Sequence, residues 1–165
     1  MTQAYLGLGS NLGDRRQLLC AARAALGAKE QLRVTGASAL YQTAPVGGPA
    51  GQPAFLNAVL EVETALSATQ LLALCQALET GFGRQRQEHW GPRTLDIDLL
   101  DYGGIICAAP ELTLPHPRLP GRAFVLVPLA EVAPGWRHPQ LGRSAAELLA
   151  DLNDAGAVER WPHPW

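Results

Sequence analysis

An apolar run at residues 4–9, AYLGLG, closed by Gly9 and Ser10, predicts a short buried strand. Leu18, Leu19, Ala22, Ala25 and Leu26 then recur at helical spacing, so a helix with one apolar stripe follows. The glycines between the two read as a tight strand-to-helix turn, with Asn11 or Asp14 as the helix cap. Residues 31–43, QLRVTGASALYQT, form a second strand region, and APVGGPAGQP at 44–53 has the composition of a loop. In FLNAVLEVET, residues 55–64, the alternation places Leu56, Ala58, Leu60 and Val62 on one side and Phe55, Asn57, Val59 and Glu61 on the other. Two neighbouring strands of this length predict an antiparallel pair.

Ser67 and Gln70 have capping-box spacing and open a helix expected to run to about Thr80, where Gly81-Phe82-Gly83 stops it. An arginine-bearing loop over 81–93 leads into a strand, TLDIDLLDY, that Gly103-Gly104 turns back into IIC. Residues 123–133, AFVLVPLAEVA, predict a helix with Pro128 near its start; Ser144 and Glu147 cap another, SAAELLADL. Strand, helix, two strands, helix, two strands, then helices is an α+β order with a mainly antiparallel sheet and flanking helices. At 165 residues and 17.6 kDa, without repeats or linkers, the chain is expected to be one domain, 1–165.

Charge narrows the function. A net charge of −2 gives no electrostatic case for nucleic acid or an anionic membrane, so any basic site must be local. Lys29 is the only lysine, which leaves cationic recognition to planar guanidinium groups. Cys20, Cys75 and Cys107 lack pairing motifs and sit among apolar residues, as buried free thiols do. With no membrane-spanning run and no signal-peptide pattern at the start, a cytoplasmic protein is expected. GLGSNLG does not complete a dinucleotide fingerprint, because Leu12 stands where the third glycine belongs, and no P-loop or protein-kinase motif is present.

The chemistry concentrates in HWGPRTLDIDLLDYGG, residues 89–104. In a strand Asp96 and Asp98 point the same way, while Leu95, Ile97 and Leu99 point the other. Two carboxylates that close share a proton or need cations. Magnesium, which takes a few carboxylates together with waters and phosphates, suits such a platform for a bound nucleotide, as one ion or two. An exposed edge strand with solvated acids is the alternative. Arg84, Arg86 and Arg93 lie close by in sequence, and guanidiniums beside metal-binding carboxylates are what phosphoryl transfer requires.

WGPRTLDIDLL resembles the signature of the 6-hydroxymethyl-7,8-dihydropterin pyrophosphokinase family, and LGLGSNLGD, YQTAPVG, FLNAV, LETGFGR and LPHPRLPGRAFVLVPLAEVAP extend the likeness over nearly the whole chain. The resemblance implies a ferredoxin-like fold and transfer of an intact diphosphate from ATP, with magnesium as two ions, to the pterin hydroxymethyl group, releasing AMP. It implies that Asp96 and Asp98 bind magnesium, and that Arg84 and Arg93 hold ATP phosphates and act in catalysis, with Glu79 and His116 also lining the nucleotide site. Asn57 would hydrogen-bond the pterin and Phe124 stack on it. Thr43, Pro45 and Val46 would lie on the pterin-site loop, and Phe55, Trp90 and Arg122 would face the pterin or close over it.

The chain departs from the family pattern in a shorter arginine-bearing loop, in His89 before Trp90, and in Glu111 where some relatives carry Arg. Residues 46–52 and 84–90 are expected to close over the site, because the reaction must exclude water. A monomer acting on small molecules is expected. The alternatives are another magnesium-dependent phosphoryl or nucleotidyl transferase, and a non-catalytic binding module of the same fold.

Overall fold

Strand β1 (Thr2–Ser10) lies between β4 (Phe55–Thr64) and β5 (Asp96–Tyr102) and pairs antiparallel with both, in a computed structural model that describes residues 1–44, 53–83, 95–153 and 157–165. On the far side of β4 two short strands share its length. β2 (Leu32–Ala37) pairs with its C-terminal half and β3 (Tyr41–Thr43) with Phe55–Asn57, while β8 (Val158–Arg160) adds to β3. Helix α1 (Arg15–Gly27) connects β1 to β2, and α2 (Ala68–Gly83) connects β4 to β5. Each connection skips a strand, and the interlocked pair is the ferredoxin-like arrangement expected from the resemblance.

Alternation sorts the side chains as the sequence predicts. Leu56, Ala58, Leu60 and Val62 of β4, with Ala4, Leu6, Leu8, Ile97 and Leu99, form one core with Leu19, Ala22 and Leu26 of α1 and Leu71 and Cys75 of α2. Tyr5, Val59 and Leu100 face the opposite side and pack on α3 (Ala123–Val132) and α4 (Ala145–Ala150). Asp14, rather than Asn11, caps α1, accepting from the Gln17 N–H at 3.1 Å. Both predicted capping boxes form, Ser67 with Gln70 and Ser144 with Glu147.

Several expectations are corrected. The strand region 31–43 is two strands, because the Ser38 hydroxyl accepts the Val59 N–H and replaces a backbone rung. Helix α2 does not stop at Thr80 but continues to Gly83, anchored by Phe82 packing against the first core. Gly103 and Gly104 do turn the chain, with φ of 58° and 72°, but IIC does not return along β5. Instead β6 (Cys107–Ala109) pairs with β7 (Leu112–Leu114) in a separate ribbon. The outer edge of β5 is taken otherwise: Glu79 accepts the Ile97 N–H, and the His116 N–H donates to the Leu100 carbonyl. Pro128 sits inside α3 rather than near its start. Only Cys75 is buried, which pushes its thiol up to about 12; Cys20 and Cys107 are half-buried, and all three are free.

One buried histidine gives stability a pH dependence. His138 is 4% exposed, and its Nδ1 accepts the N–H groups of Gln140 at 3.2 Å and Leu141 at 3.1 Å. A proton on Nδ1 would break both bonds. Burial lowers the pKa of the imidazole, with the Asp101 carboxylate opposing, so the unfolded chain takes up the proton first. Its stabilising contribution is therefore full above the unfolded value of about 6.5 and is lost as pH falls from there toward the lower folded value. Thermal unfolding should show a lower midpoint at about pH 5.5 than at about pH 7.5. The gap should narrow in His138→Asn, whose side-chain oxygen accepts without titrating near neutrality. An unchanged gap would remove His138 as its source.

Candidate active site

Cross-strand register assembles the site. Gly9 of β1 pairs with Asn57 of β4 on one side and Asp96 of β5 on the other; Gly7 pairs with Val59 and Asp98. Gly7 and Gly9 share a face, so β1 presents a bare strip between a carboxamide and two carboxylates. Asn57 and Asp96 are thereby held two strands, ~10 Å, apart with no side chain between them. A Cβ on Gly9 would stand 2.7 Å from Asn57 Oδ1. Both glycines lie in the strand expected from the sequence, and together they form the floor of a cavity.

The cavity holds about 290 Å³. The start of α3 forms one wall with Arg122, Phe124 and Val125, and Thr43 and Phe55, paired across β3 and β4, form another. Asp96 and Asp98 lie ~7 Å apart along β5, both half-exposed toward the cavity, while Leu95, Ile97 and Leu99 behind them are core. β5 is an edge strand of the sheet, as the solvated-edge alternative supposes, but both of its acids line the cavity. Arg122 Nη1 is 3.7 Å from Asp98 Oδ2, and its guanidinium lies 5.4 Å from the centre of the Phe124 ring. A contact this long and this exposed contributes ~0–1 kcal/mol, so Arg122 offsets the repulsion of the acid pair without locking Asp98 in place.

Of the residues singled out from sequence, Thr43, Phe55, Asn57, Asp96, Asp98, Arg122 and Phe124 line this one cavity. Glu79 lies against the β5 edge at Ile97. His116 titrates under the influence of Asp98 and Arg122: burial lowers its pKa, Asp98 raises it, and Arg122 and Arg118 lower it, with a net fall. Its Nδ1 accepts the Arg118 N–H at 3.2 Å, which leaves Nε2–H as the donor of the neutral ring. Glu111 is exposed and does not line the cavity. Pro45, Val46, Arg84, His89, Trp90 and Arg93 lie outside the described residues, as do the segments 46–52 and 84–90 expected to close.

Two features escaped the sequence reading. One is the glycine strip, whose signal was a pair of glycines two apart on one strand face. The other is the Thr43 hydroxyl, buried and without a hydrogen-bond partner among the described residues at the cavity wall. An unsatisfied buried polar atom beside a cavity is a place for a ligand group.

A family model described as 7,8-dihydro-6-hydroxymethylpterin-pyrophosphokinase matches residues 5–134. The chain belongs to this family. Among its relatives is a Methylorubrum extorquens protein named 2-amino-4-hydroxy-6-hydroxymethyldihydropteridine pyrophosphokinase, 45% identical over 160 residues that cover 97% of this chain and 99% of that one. A Pseudomonas aeruginosa protein of the same name is 43% identical, covering 97% of each chain. A Plasmodium falciparum HPPK-DHPS structure superposes on 96% of this chain at a TM-score of 0.75 and 15% identity, which shows a shared fold. This chain spans 48% of that one. The family match covers each strand and helix that contributes to the cavity, from β1 to α3.

Proposed function

We propose that this cavity transfers diphosphate from ATP to 6-hydroxymethyl-7,8-dihydropterin, in folate biosynthesis. The hydroxymethyl oxygen bonds to the β-phosphorus, the bond from that phosphorus to the α–β bridging oxygen breaks, AMP leaves, and the hydroxyl proton is released. One observation carries the reading: a flat aromatic and a carboxamide face a pair of carboxylates across a strip that has no side chains.

Each end of the cavity has its own chemistry. Asn57 offers both a donor and an acceptor to the amide-like edge of the pterin, Phe124 and Phe55 supply faces for its ring, and the Thr43 hydroxyl is placed for a polar atom of the ligand. Asp96 and Asp98 fit magnesium, because they supply hard oxygen donors on one face. Among the described residues they belong to no cluster of three or more metal-ligating side chains, so waters and phosphates would complete the shell. Bound there as two ions, magnesium would neutralise the phosphate charge. Arg84 and Arg93 are assigned to the phosphates, Glu79 and His116 to the nucleotide side, and Pro45, Val46, Trp90 and Arg122 to the pterin side.

The same reading makes the protein a cytoplasmic monomer with one domain, 1–165. Supporting it, both cores share one sheet, the cysteines are free, and among the described residues no helix is long and apolar enough to cross a membrane. The exposed large hydrophobics described, Met1, Ile105, Ile106 and Leu141, are too few for an obligate interface.

Mass analysis of the products from MgATP and the hydroxymethyl dihydropterin tests the reaction. AMP with pterin diphosphate is expected; ADP would mean ordinary kinase action, and no turnover would favour a binding module. Asn57→Ala should raise the KM for the pterin by the cost of groups left unpaired in a dry site, on the order of 1–3 kcal/mol or about 5- to 150-fold. The KM for ATP should stay within about twofold. An equal rise for both substrates would remove Asn57 from the pterin end.

A further inference from the structure

Arg15, the first residue of α1, belongs to none of the chemistry above. A cation at a helix N-terminus opposes the macrodipole, and here the Asp14 carboxylate at the N-cap offsets it. Its contacts lie elsewhere. Nη1 donates to the Ala54 carbonyl at 2.6 Å and to Gln42 Oε1 at 3.3 Å. Gln42 immediately precedes Thr43, Ala54 immediately precedes Phe55, and Thr43 and Phe55 are register partners that form one wall of the cavity. One guanidinium therefore ties together the two chain segments that carry this wall.

Apart from Arg15, the wall rests on short ladders from β3 to β4 and β8 and on the Tyr41 hydroxyl, which donates to Glu131 at 2.6 Å. β3 is three residues long, and Thr43 Oγ1 makes no hydrogen bond among the described residues. Short pairings of this kind open easily unless something outside the ladder holds them. Arg15 is in turn seated by Trp161, whose ring centre lies 5.3 Å from the guanidinium and whose backbone N–H donates to the Leu40 carbonyl just before β3. The segment beyond Trp161 is bound to α1 as well, through Arg16 to the Pro164 carbonyl and Arg23 to the Trp165 backbone oxygen.

We infer that Arg15 is a positioning residue for pterin recognition: held by Trp161, it sets the spacing of Thr43 and Phe55 at the pterin end of the cavity. This rests on the reading that the cavity takes the pterin, so Asn57→Ala is measured alongside. Arg15→Ala should raise the KM for the pterin roughly tenfold, the scale of one lost charge-assisted hydrogen bond, with kcat and the KM for ATP within about twofold. Arg15→Lys, which can still reach one carbonyl, should recover part of that affinity. Trp161→Ala should cause a smaller rise, and adding it to Arg15→Ala should change little further, because both act through the same contact.

A lower melting temperature with unchanged KM for the pterin would make Arg15 merely structural and overturn the inference. So would an equal rise in both KM values, or full additivity with Trp161→Ala. If Arg15→Ala does not accumulate folded, Arg15→Gln is judged by the same criteria. A normal pterin KM in Asn57→Ala would instead overturn the reading of the cavity, whatever Arg15 does.

Discussion

Replacing Asp96 or Asp98 by Ala is expected to lower turnover on the order of 10³-fold or more, at the upper end of losses seen when one charge-stabilising group is removed. The expectation rests on where the two carboxylates stand. Both lie on the cavity face of β5, and the residues between and behind them, Ile97 and Leu99, are core. Neither acid belongs to either hydrophobic core. The contact of Asp98 with Arg122 is 3.7 Å long with the Asp98 side chain 41% exposed, so its loss should cost little stability. Removing one of two like charges also relieves repulsion in the metal-free protein. Turnover at saturating magnesium, with a thermal melt of each variant, checks both halves. Near-normal rates in both single variants would end the two-carboxylate assignment.

Gly9→Ala should damage pterin recognition with little loss of stability, the second large effect. The added methyl would stand 2.7 Å from Asn57 Oδ1, too close to tolerate. What moves is the end of a side chain rather than backbone, which is why the fold should survive. The carboxamide would be driven from the orientation in which it can pair with a ligand, and the methyl would fill the floor between Asn57 and Asp96. Loss of the Asn57 bonds alone is on the order of 1–3 kcal/mol, so a rise in pterin KM of about 10-fold or more is expected once the blocked floor is added. Gly7→Ala is the internal comparison, because there the nearest atoms belong to Leu100 at an ordinary 3.4 Å. Equal effects at the two positions would show that the strip as a whole, not the Asn57 contact, sets the affinity.

Alternation made the two faces of β4 and β5 legible, because a half-buried strand writes its period directly into the sequence. That is why the sequence separates Asn57 and the two aspartates from the core-facing residues of their strands. The capping boxes were legible for a similar reason: both partners lie within four residues. What stayed hidden depended on distant contacts. The Ser38 hydroxyl splits a strand only because Val59 lies opposite it, and Phe82 carries α2 past Gly81 only because the first core receives its ring. β8 and the Trp161–Trp165 segment read as nothing regular in sequence, since their order comes from β3 and from the arginines of α1. The glycine strip stayed hidden because a residue without a side chain adds nothing to an alternating pattern. Its meaning appears only when the strands on both sides are known.

The most direct test is a crystal structure of the ternary complex with magnesium, a non-hydrolysable ATP analogue and the hydroxymethyl dihydropterin. The expected result is magnesium on Asp96 and Asp98, the pterin ring against Phe124 with its amide-like edge on Asn57, and the hydroxymethyl group pointing along the Gly7–Gly9 strip toward the phosphates. A pterin bound elsewhere, or metal held away from both aspartates, would contradict the assignment of this cavity as the site of diphosphate transfer.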